Sequence, residues 1–334
     1  MASGYTANYG LCQWQPEDKF LREEFNQDNE KLDAAVAAAS SQASKALSGL
    51  EDQSYNIYNL ILQNDYAGKY TGWKKALLFD GFIDKGGTSS MSQTLLLSDG
   101  AVALSKTGQS DLSLGYGEQS SSGGAAETRS VITSGNGRLT GIGLELYNGL
   151  SWETSVEVKY EVRVNGKTRL TGTADTPVIA SYNTGRGDLK FQQSVDVKAG
   201  DSVTVWLDLH TAWRYAKDST GSNLGGILRF TPVSGTSGEL VTRSNTIPAG
   251  ASFRLWVRHK NGTVTAALVA GGQEHSFVQG EDRSTTEPLN GVSCTETEFS
   301  FDRETESGGV KLKFTLDLSG GSTMTLFDYG LAVI

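Results

Sequence analysis

From Phe25 onward, apolar residues recur in a repeat of seven. With Phe25 at position d of a heptad, the d positions are Phe25, Leu32, Ala39, Ala46, Gln53 and Leu60, and the a positions are Asn29, Val36, Ala43, Leu50, Ile57 and Asn64. Nine of these twelve are apolar, and an apolar spacing of about 3.5 residues held over several heptads is the signature of a left-handed coiled coil. The pattern predicts a helix over residues 20–65, about 65 Å long at about 1.5 Å per residue. Pro16 suits the first helical position, and Glu17 and Asp18 suit a first turn that faces the positive end of the helix dipole. The stripe is narrow and alanine-rich, and a lone helix this thin buries too little surface to be stable in water. Phe25, Leu32, Val36, Ala39, Ala43, Leu50, Ile57 and Leu60 are therefore the candidate oligomer seam. Packing of the helix onto its own domain is the alternative.

Beyond residue 75 the period changes to two. In SVEVKYEVRVNGKTRLTG, Val156, Val158, Tyr160, Val162 and Val164 alternate with Glu157, Lys159, Glu161 and Arg163, as in a strand with one buried face. Asn165-Gly166 marks a type I′ hairpin turn. Similar runs predict strands at 77–83, 93–97, 138–147, 189–197, 202–209 and 226–232. Beyond the linker SGTSG at 234–238 they predict strands at 239–243, 252–259, 263–270, 274–278, 296–301, 309–317 and 323–333. Residues 105–128, rich in Gly and Ser, read as a long loop. Short strands between turns predict β-sandwiches of the jelly-roll type. The fold class is thus mainly β, with an N-terminal α-helical coiled-coil stalk followed by two β-sandwich (jelly-roll-like) domains. The divisions are an extended segment at 1–19, the coiled-coil helix at 20–65, a β-sandwich at 66–233 with a neck at 66–75, and a C-terminal β-sandwich at 234–334.

Charge narrows the partners. The net charge is −9. Residues 1–65 carry four basic against ten acidic side chains, 66–233 seventeen against sixteen, and 234–334 eight against twelve. No region forms a basic platform, which argues against a nucleic-acid partner. Cys12 and Cys294 fall in different regions and are too few for a disulfide framework. They are expected as free thiols, in keeping with folding in a reducing cytoplasm. MASGYTANYG has neither the basic nor the apolar region of a signal peptide, and no run reaches the length of a membrane span. A role outside the cell then requires release by assembly or lysis.

Motifs for catalysis are missing. There is no HExxH, CxxC, GxxxxGK[ST] or GxSxG, and His210, His259 and His275 are not at metal-ligand spacing. GQSDLSLG at 108–115 slightly resembles the serine block of GDSL-type esterases, but Gln109 replaces the acidic residue and the Asp-x-x-His block is missing. RGD at 186–188 and NGT at 261–263 read as turns. No catalytic residue, cofactor or metal is expected. Two stretches are candidate ligand contacts. HTAWRYAKDSTGSN brings His210, Trp213, Arg214 and Tyr215 to the end of a strand, where flat aromatic faces beside polar groups suit sugar rings. The competing reading has Trp213 and Tyr215 capping a sandwich end or lining an interdomain or intersubunit contact. WVRHKNG ends in Arg258, His259 and Lys260, read as a basic tip before a hairpin turn.

The N-terminus carries a resemblance. Tyr9-Gly10-Leu11, Trp14, Asp18-Lys19-Phe20, Phe25-Asn26 and Leu32-Asp33-Ala34-Ala35 resemble the start of tail-fibre and baseplate-associated proteins of phages and prophages of gut Firmicutes. The resemblance covers about 30 residues, and the rest of the chain carries none. It implies a particle-attachment end, here Tyr9, Leu11 and Trp14, then a trimeric coiled-coil stalk, with outward β-rich domains that bind host surface glycans. The expectation is a homotrimeric, non-enzymatic virion or phage-like particle component, made in the bacterial cytoplasm. Its partners are itself, other tail or baseplate proteins and a host surface glycan or protein, without nucleic acid or membrane insertion. A purely structural virion protein (head fibre, decoration or baseplate connector) and a polysaccharide-modifying tail enzyme are the alternatives. The alanine-rich seam leaves dimer and trimer open.

Overall fold

The computed structural model describes residues 1–98, 100–117, 123–209, 212–250, 252–318 and 320–334, and within the helix it leaves out the side chains of residues 44, 47, 48, 51 and 52. It divides into two compact units, Met1–Ile61 and Leu62–Ile334.

In the first unit the segment expected to be extended is a small hairpin. Gly4–Tyr5 pairs antiparallel with Cys12–Gln13, and the turn closes with Thr6 N donating to Leu11 O at 2.8 Å. Gly10 takes a positive φ of 60°, which glycine adopts without a Cβ penalty. Pro16 does not start the helix. The Asp18 carboxylate accepts from the amides of Ser3 and Gln15, both at 2.8 Å, and from the Ser3 hydroxyl. A carboxylate used in this way holds a turn in place of helix. The helix spans Arg22–Lys69, with Glu23 and Glu24 in its first turn. Its 48 residues extend about 72 Å. It absorbs residues 66–69 of the expected neck. A single chain holds no partner helix, and the coiled coil stays a proposal.

The second unit is mainly β and contains two antiparallel two-layer cores. One core is built around Leu104, Phe253, Leu255, Val257, Phe314 and Leu331. Its first sheet runs Gln273–Ser276, Thr263–Ala270, Gly308–Asp317, Ser237–Thr242, Thr88–Met91, with Asn245–Ile247 also on Gly308–Asp317. The second runs Val278–Thr286, Ser293–Phe301, Phe253–Lys260, Thr323–Val333, Val102–Ser105, Leu95–Leu97, with Ala76–Asp80 also on Thr323–Val333. The other core holds Ile142, Val158, Tyr160, Val162, Val205 and Trp213 between sheets centred on Gly137–Asn148 and on Glu157–Val164 with Ser202–Leu209. Val158, Tyr160, Val162 and Val164 are buried as the alternation predicts. Asn165 and Gly166 take positive φ values of 52° and 74° in the turn between paired strands.

The domain division at 233/234 is corrected. Ala76–Asp80 and Val102–Ser105 pair with the C-terminal strand Thr323–Val333, and Thr88–Met91 pairs with Ser237–Thr242. The 76–105 strands belong with the C-terminal sandwich, and residues 107–233 form a sandwich inserted into it. Insertion is possible because its ends meet: Gly235 N donates to Ser105 O at 2.8 Å. Three local readings also change. The 105–128 stretch contains the strands Leu112–Gly115 and Gly124–Glu127. Asn261-Gly262 is not a hairpin turn, because Phe253–Lys260 and Thr263–Ala270 lie in different sheets. Arg186-Gly187-Asp188 lies inside the strand Thr184–Val197, where Arg186 pairs with Glu145 and Asp188 with Arg229. Among the described residues no helix is long and apolar enough to cross a membrane.

Candidate functional site

The helix surface is the largest candidate site. Phe25, Leu32, Val36, Leu50, Ile57 and Leu60 are 43–68% exposed, and Ala39 and Ala43 are exposed between them. Every position assigned to the seam is therefore uncovered in one chain. That is an unusual disposition for a set of large apolar side chains at a single period.

The N-terminal candidates are divided. Tyr9 is exposed, whereas Leu11 and Trp14 are half-buried. Trp14 packs on Phe20 with ring centroids 5.0 Å apart, and Phe20 packs on Phe25 at 5.7 Å. Cys12 N donates to Asp28 at 2.7 Å, Ala2 N to Glu24 at 3.0 Å, and the Met1 amino group to Lys19 O at 2.8 Å. The hairpin is thus fixed to the start of the helix, with the Tyr9 ring presented outward.

The end of the helix builds a charged centre in the second unit. Residues 253, 255 and 257 point into the core, so Arg254, Trp256 and Arg258 occupy the opposite face of their sheet, with Glu296, Glu298, Asp328 and Gly330 on its neighbours. The last helical turns cover this face. A Cβ on Gly330 would stand 2.2 Å from the Tyr66 ring, so only glycine admits that ring against the strand. The Tyr66 hydroxyl donates to Asp328. Arg258 reaches Glu296 at 3.1 Å, Asp328 at 3.4 Å and Asp65, and its guanidinium lies 4.9 Å over the Tyr66 ring. Lys69 pairs with Glu296 at 2.8 Å. Burial raises the Asp328 carboxyl to about 6, against the pull of Arg258. For Arg258 burial works against the charge, and Tyr66, Asp328 and Asp65 outweigh it, so the guanidinium stays charged. These charges satisfy one another, which makes the cluster a clamp between helix and sheet.

Arg258 and His259 are therefore corrected: both are buried, not at a solvated tip. The covering residues lie far away in sequence, and the alternation RLWVRHK alone cannot reveal them. His259 Nε2 lies 2.9 Å from the Thr297 hydroxyl, which donates to Asp282 at 2.6 Å. Burial lowers the His259 pKa and keeps the ring neutral at pH 7. Lys260 alone of the three is exposed, beside a hollow of about 420 Å³ that also involves Ser284, Ser293 and Cys294. Burial pushes the Cys294 thiol up to about 11, which leaves it a poor nucleophile.

Of the other ligand candidates, His210 lies outside the described residues. Trp213 is fully buried in the inserted core, as the capping reading required, and does not offer a face to ligand. Arg214 is exposed and lies 5.3 Å over the Tyr147 ring, and Tyr215 is half-buried. Gln109 is buried and accepts from the amides of Ser134 at 2.8 Å and Gly135 at 3.2 Å, a purely structural use. Sequence reasoning missed Asp65, Tyr66, Glu296 and Asp328. The one local hint was a tyrosine and two charges at the helix end, where the heptad pattern stops. Among the described residues no group of three His, Cys, Asp or Glu is placed to hold a metal ion.

No protein-family model and no curated protein matches the chain. Among solved structures, it is similar at 8% identity to the N-terminal CBM22-1-CBM22-2 tandem domain from Paenibacillus barcinonensis Xyn10C, with 79% of this chain and 99% of that one covered and a TM-score of 0.21. It is also similar, again at 8% identity, to a chain of infectious bursal disease virus Gx strain, with 73% and 40% covered and a TM-score of 0.17. TM-scores this low do not amount to a shared fold.

Proposed function

We propose that this chain is a non-enzymatic, self-associating component of a phage or phage-like tail, a homotrimer mounted through its N-terminal hairpin, whose β domains bind a host surface glycan or protein. The observation that carries the reading is the helix. Its apolar heptad positions are all exposed in one chain, and fully burying a side chain such as Leu or Ile is worth about 1.5–3 kcal/mol. Six large apolar side chains per chain give an assembly of helices ample driving force. The identity of the particle rests on the N-terminal resemblance. Tyr9, exposed on its hairpin beside Leu11 and Trp14, suits the mounting role.

The test is solution mass. The full-length chain is expected to sediment at three times its monomer mass at micromolar concentration. Leu32→Asp combined with Ile57→Asp is expected to shift it to monomer while the β-sheet circular dichroism is retained. A wild-type monomer sinks the proposal.

A further inference from the structure

We propose that the inserted sandwich carries a carbohydrate-binding platform built around Trp152 and Tyr182. Trp152 is 58% and Tyr182 63% exposed. They stand on separate loops that one side chain ties together. Asn148, fully buried at the end of its strand, donates through Nδ2 to Trp152 O and to Ile179 O, each at 2.9 Å, and accepts from Leu150 N at 2.9 Å. Thr154 and Ile179 exchange backbone hydrogen bonds at 3.3 and 3.1 Å, and Tyr182 N donates to Leu150 O at 3.3 Å. Gly149 N donates to Ala212 O at 2.9 Å, which brings the Arg214 strand alongside. The loops are fixed before any ligand arrives, which removes an ordering cost from binding.

Tyr182 has a second peculiarity. Its φ is 49°, a left-handed conformation that bulky residues rarely adopt and that glycine occupies without strain. Strain of this kind persists where the surroundings impose it, and it gathers at functional positions. Here it holds an exposed aromatic ring where glycine fits better.

Area and chemistry select the occupant. Large aromatic side chains offer roughly 150–250 Å² each, so these two rings leave on the order of 250 Å² uncovered. Stable protein partners bury about 800 Å² a side, far more than the platform supplies, whereas a few sugar rings match it. The electron-rich face of Trp or Tyr meets the polarised C–H face of a pyranose. Ser151, Glu153 and Arg214, all exposed, supply acceptors and donors for hydroxyls. The ligand class is a neutral or N-acetylated hexose chain. This inference rests on the proposed glycan-binding role of the β domains and locates it.

The experiment uses the full-length protein and a printed and soluble panel of glucose, galactose, mannose and N-acetylglucosamine oligosaccharides of four to six units. Wild type is expected to bind at least one probe. Trp152→Ala and Tyr182→Ala are each expected to weaken that binding at least tenfold, with circular dichroism and solution mass unchanged. Tyr182→Gly is expected to melt higher than wild type and yet bind as weakly as Tyr182→Ala, a pairing that a merely structural tyrosine does not produce. Wild-type binding that survives both alanine substitutions overturns the platform and leaves the glycan-binding reading standing. No binding by wild type to any probe overturns both, while self-association is still judged by solution mass. A fall in oligomer mass with Trp152→Ala overturns the platform in favour of a contact between copies.

Discussion

Arg258 is held by carboxylates from three separate segments: Asp65 on the helix, Glu296 and Asp328 on two strands. Removing one partner of a buried ion network strands the others without compensation and costs about 3–5 kcal/mol. Arg258→Met is expected to lose stability on that scale in urea unfolding, with Asp328 left without its counter-charge and only the Tyr66 hydroxyl as partner, and Glu296 left with Lys69 alone. Asp328 adds a pH signature. Its folded pKa of about 6 lies above the unfolded value of about 3.9, so the folded state holds the proton more tightly. The stability contributed by that proton is fully present below the unfolded pKa and is lost as pH rises through the folded one. Asp328→Asn keeps the neutral form at every pH. The wild type is therefore expected to lose stability relative to the variant as pH rises from 4 to 7, and a difference that stays flat across urea titrations at pH 4, 5, 6 and 7 counts against this. The sequence read Arg258 as solvated because period-2 alternation marks which face of a strand a residue takes, and says nothing of what covers that face. Trp213 fails for the converse reason, since an aromatic at a strand end suits a ligand and a core equally well.

Among elements, those with a strong local pattern were legible. The strands Ser202–Leu209, Gly226–Pro232, Thr263–Ala270 and Thr323–Val333 match their predicted limits, the first two because alternation and flanking turns agree, the last two because each is a long apolar-rich run that follows a glycine turn. Val102–Ser105 is buried at every position, and Val278–Thr286 is exposed at nearly every one. The first is a short run of four without alternation and the second has neither alternation nor an apolar run, so neither was found. The helix was found by its heptads, but its start slipped from Pro16 to Arg22, because the Asp18 side chain caps a turn there. Gly49 sits in the helix at heptad position g, beside the seam but not in it, and a Cβ there meets nothing within 4 Å. Gly49→Ala is expected to stabilise the helix by about 1 kcal/mol, seen as a higher melting temperature at 222 nm with oligomer mass unchanged. Leu50→Asp, one residue on at position a, is expected to lower the mass. If both substitutions act alike on mass, the heptad register is misassigned.

At the scale of the molecule, chain order and spatial order part company. The sequence placed a boundary at the SGTSG linker and took everything before it, back to the neck, as one sandwich. The linker is real as a crossing point, but it is the return from an insertion, and its counterpart at residues 105–107 has no composition signal to mark it. Pairing between residues 76–105 and the C-terminal strand spans more than two hundred positions, beyond what local pattern encodes. Insertion makes a prediction that tandem sandwiches do not. The two cores share no residue, and the chain leaves and re-enters the first sandwich within one hydrogen bond, Gly235 N to Ser105 O at 2.8 Å. Between the sandwiches run contacts such as Lys85–Asp196 at 2.9 Å, with Lys85 largely exposed, and such pairs contribute only about 0–1 kcal/mol. Replacing residues 107–233 by a three-residue Gly-Ser linker is therefore expected to leave the first sandwich folded, with a cooperative urea transition, an intact Arg258 cluster and an unchanged number of chains per oligomer. Residues 107–233 expressed alone are expected to fold as well, and to keep the Trp152 loops. In tandem sandwiches divided at 233/234, the same excision removes most of one domain yet leaves 76–105 without strands to pair with. Exposure of those residues to hydrogen exchange in the excised protein is the result that overturns the insertion.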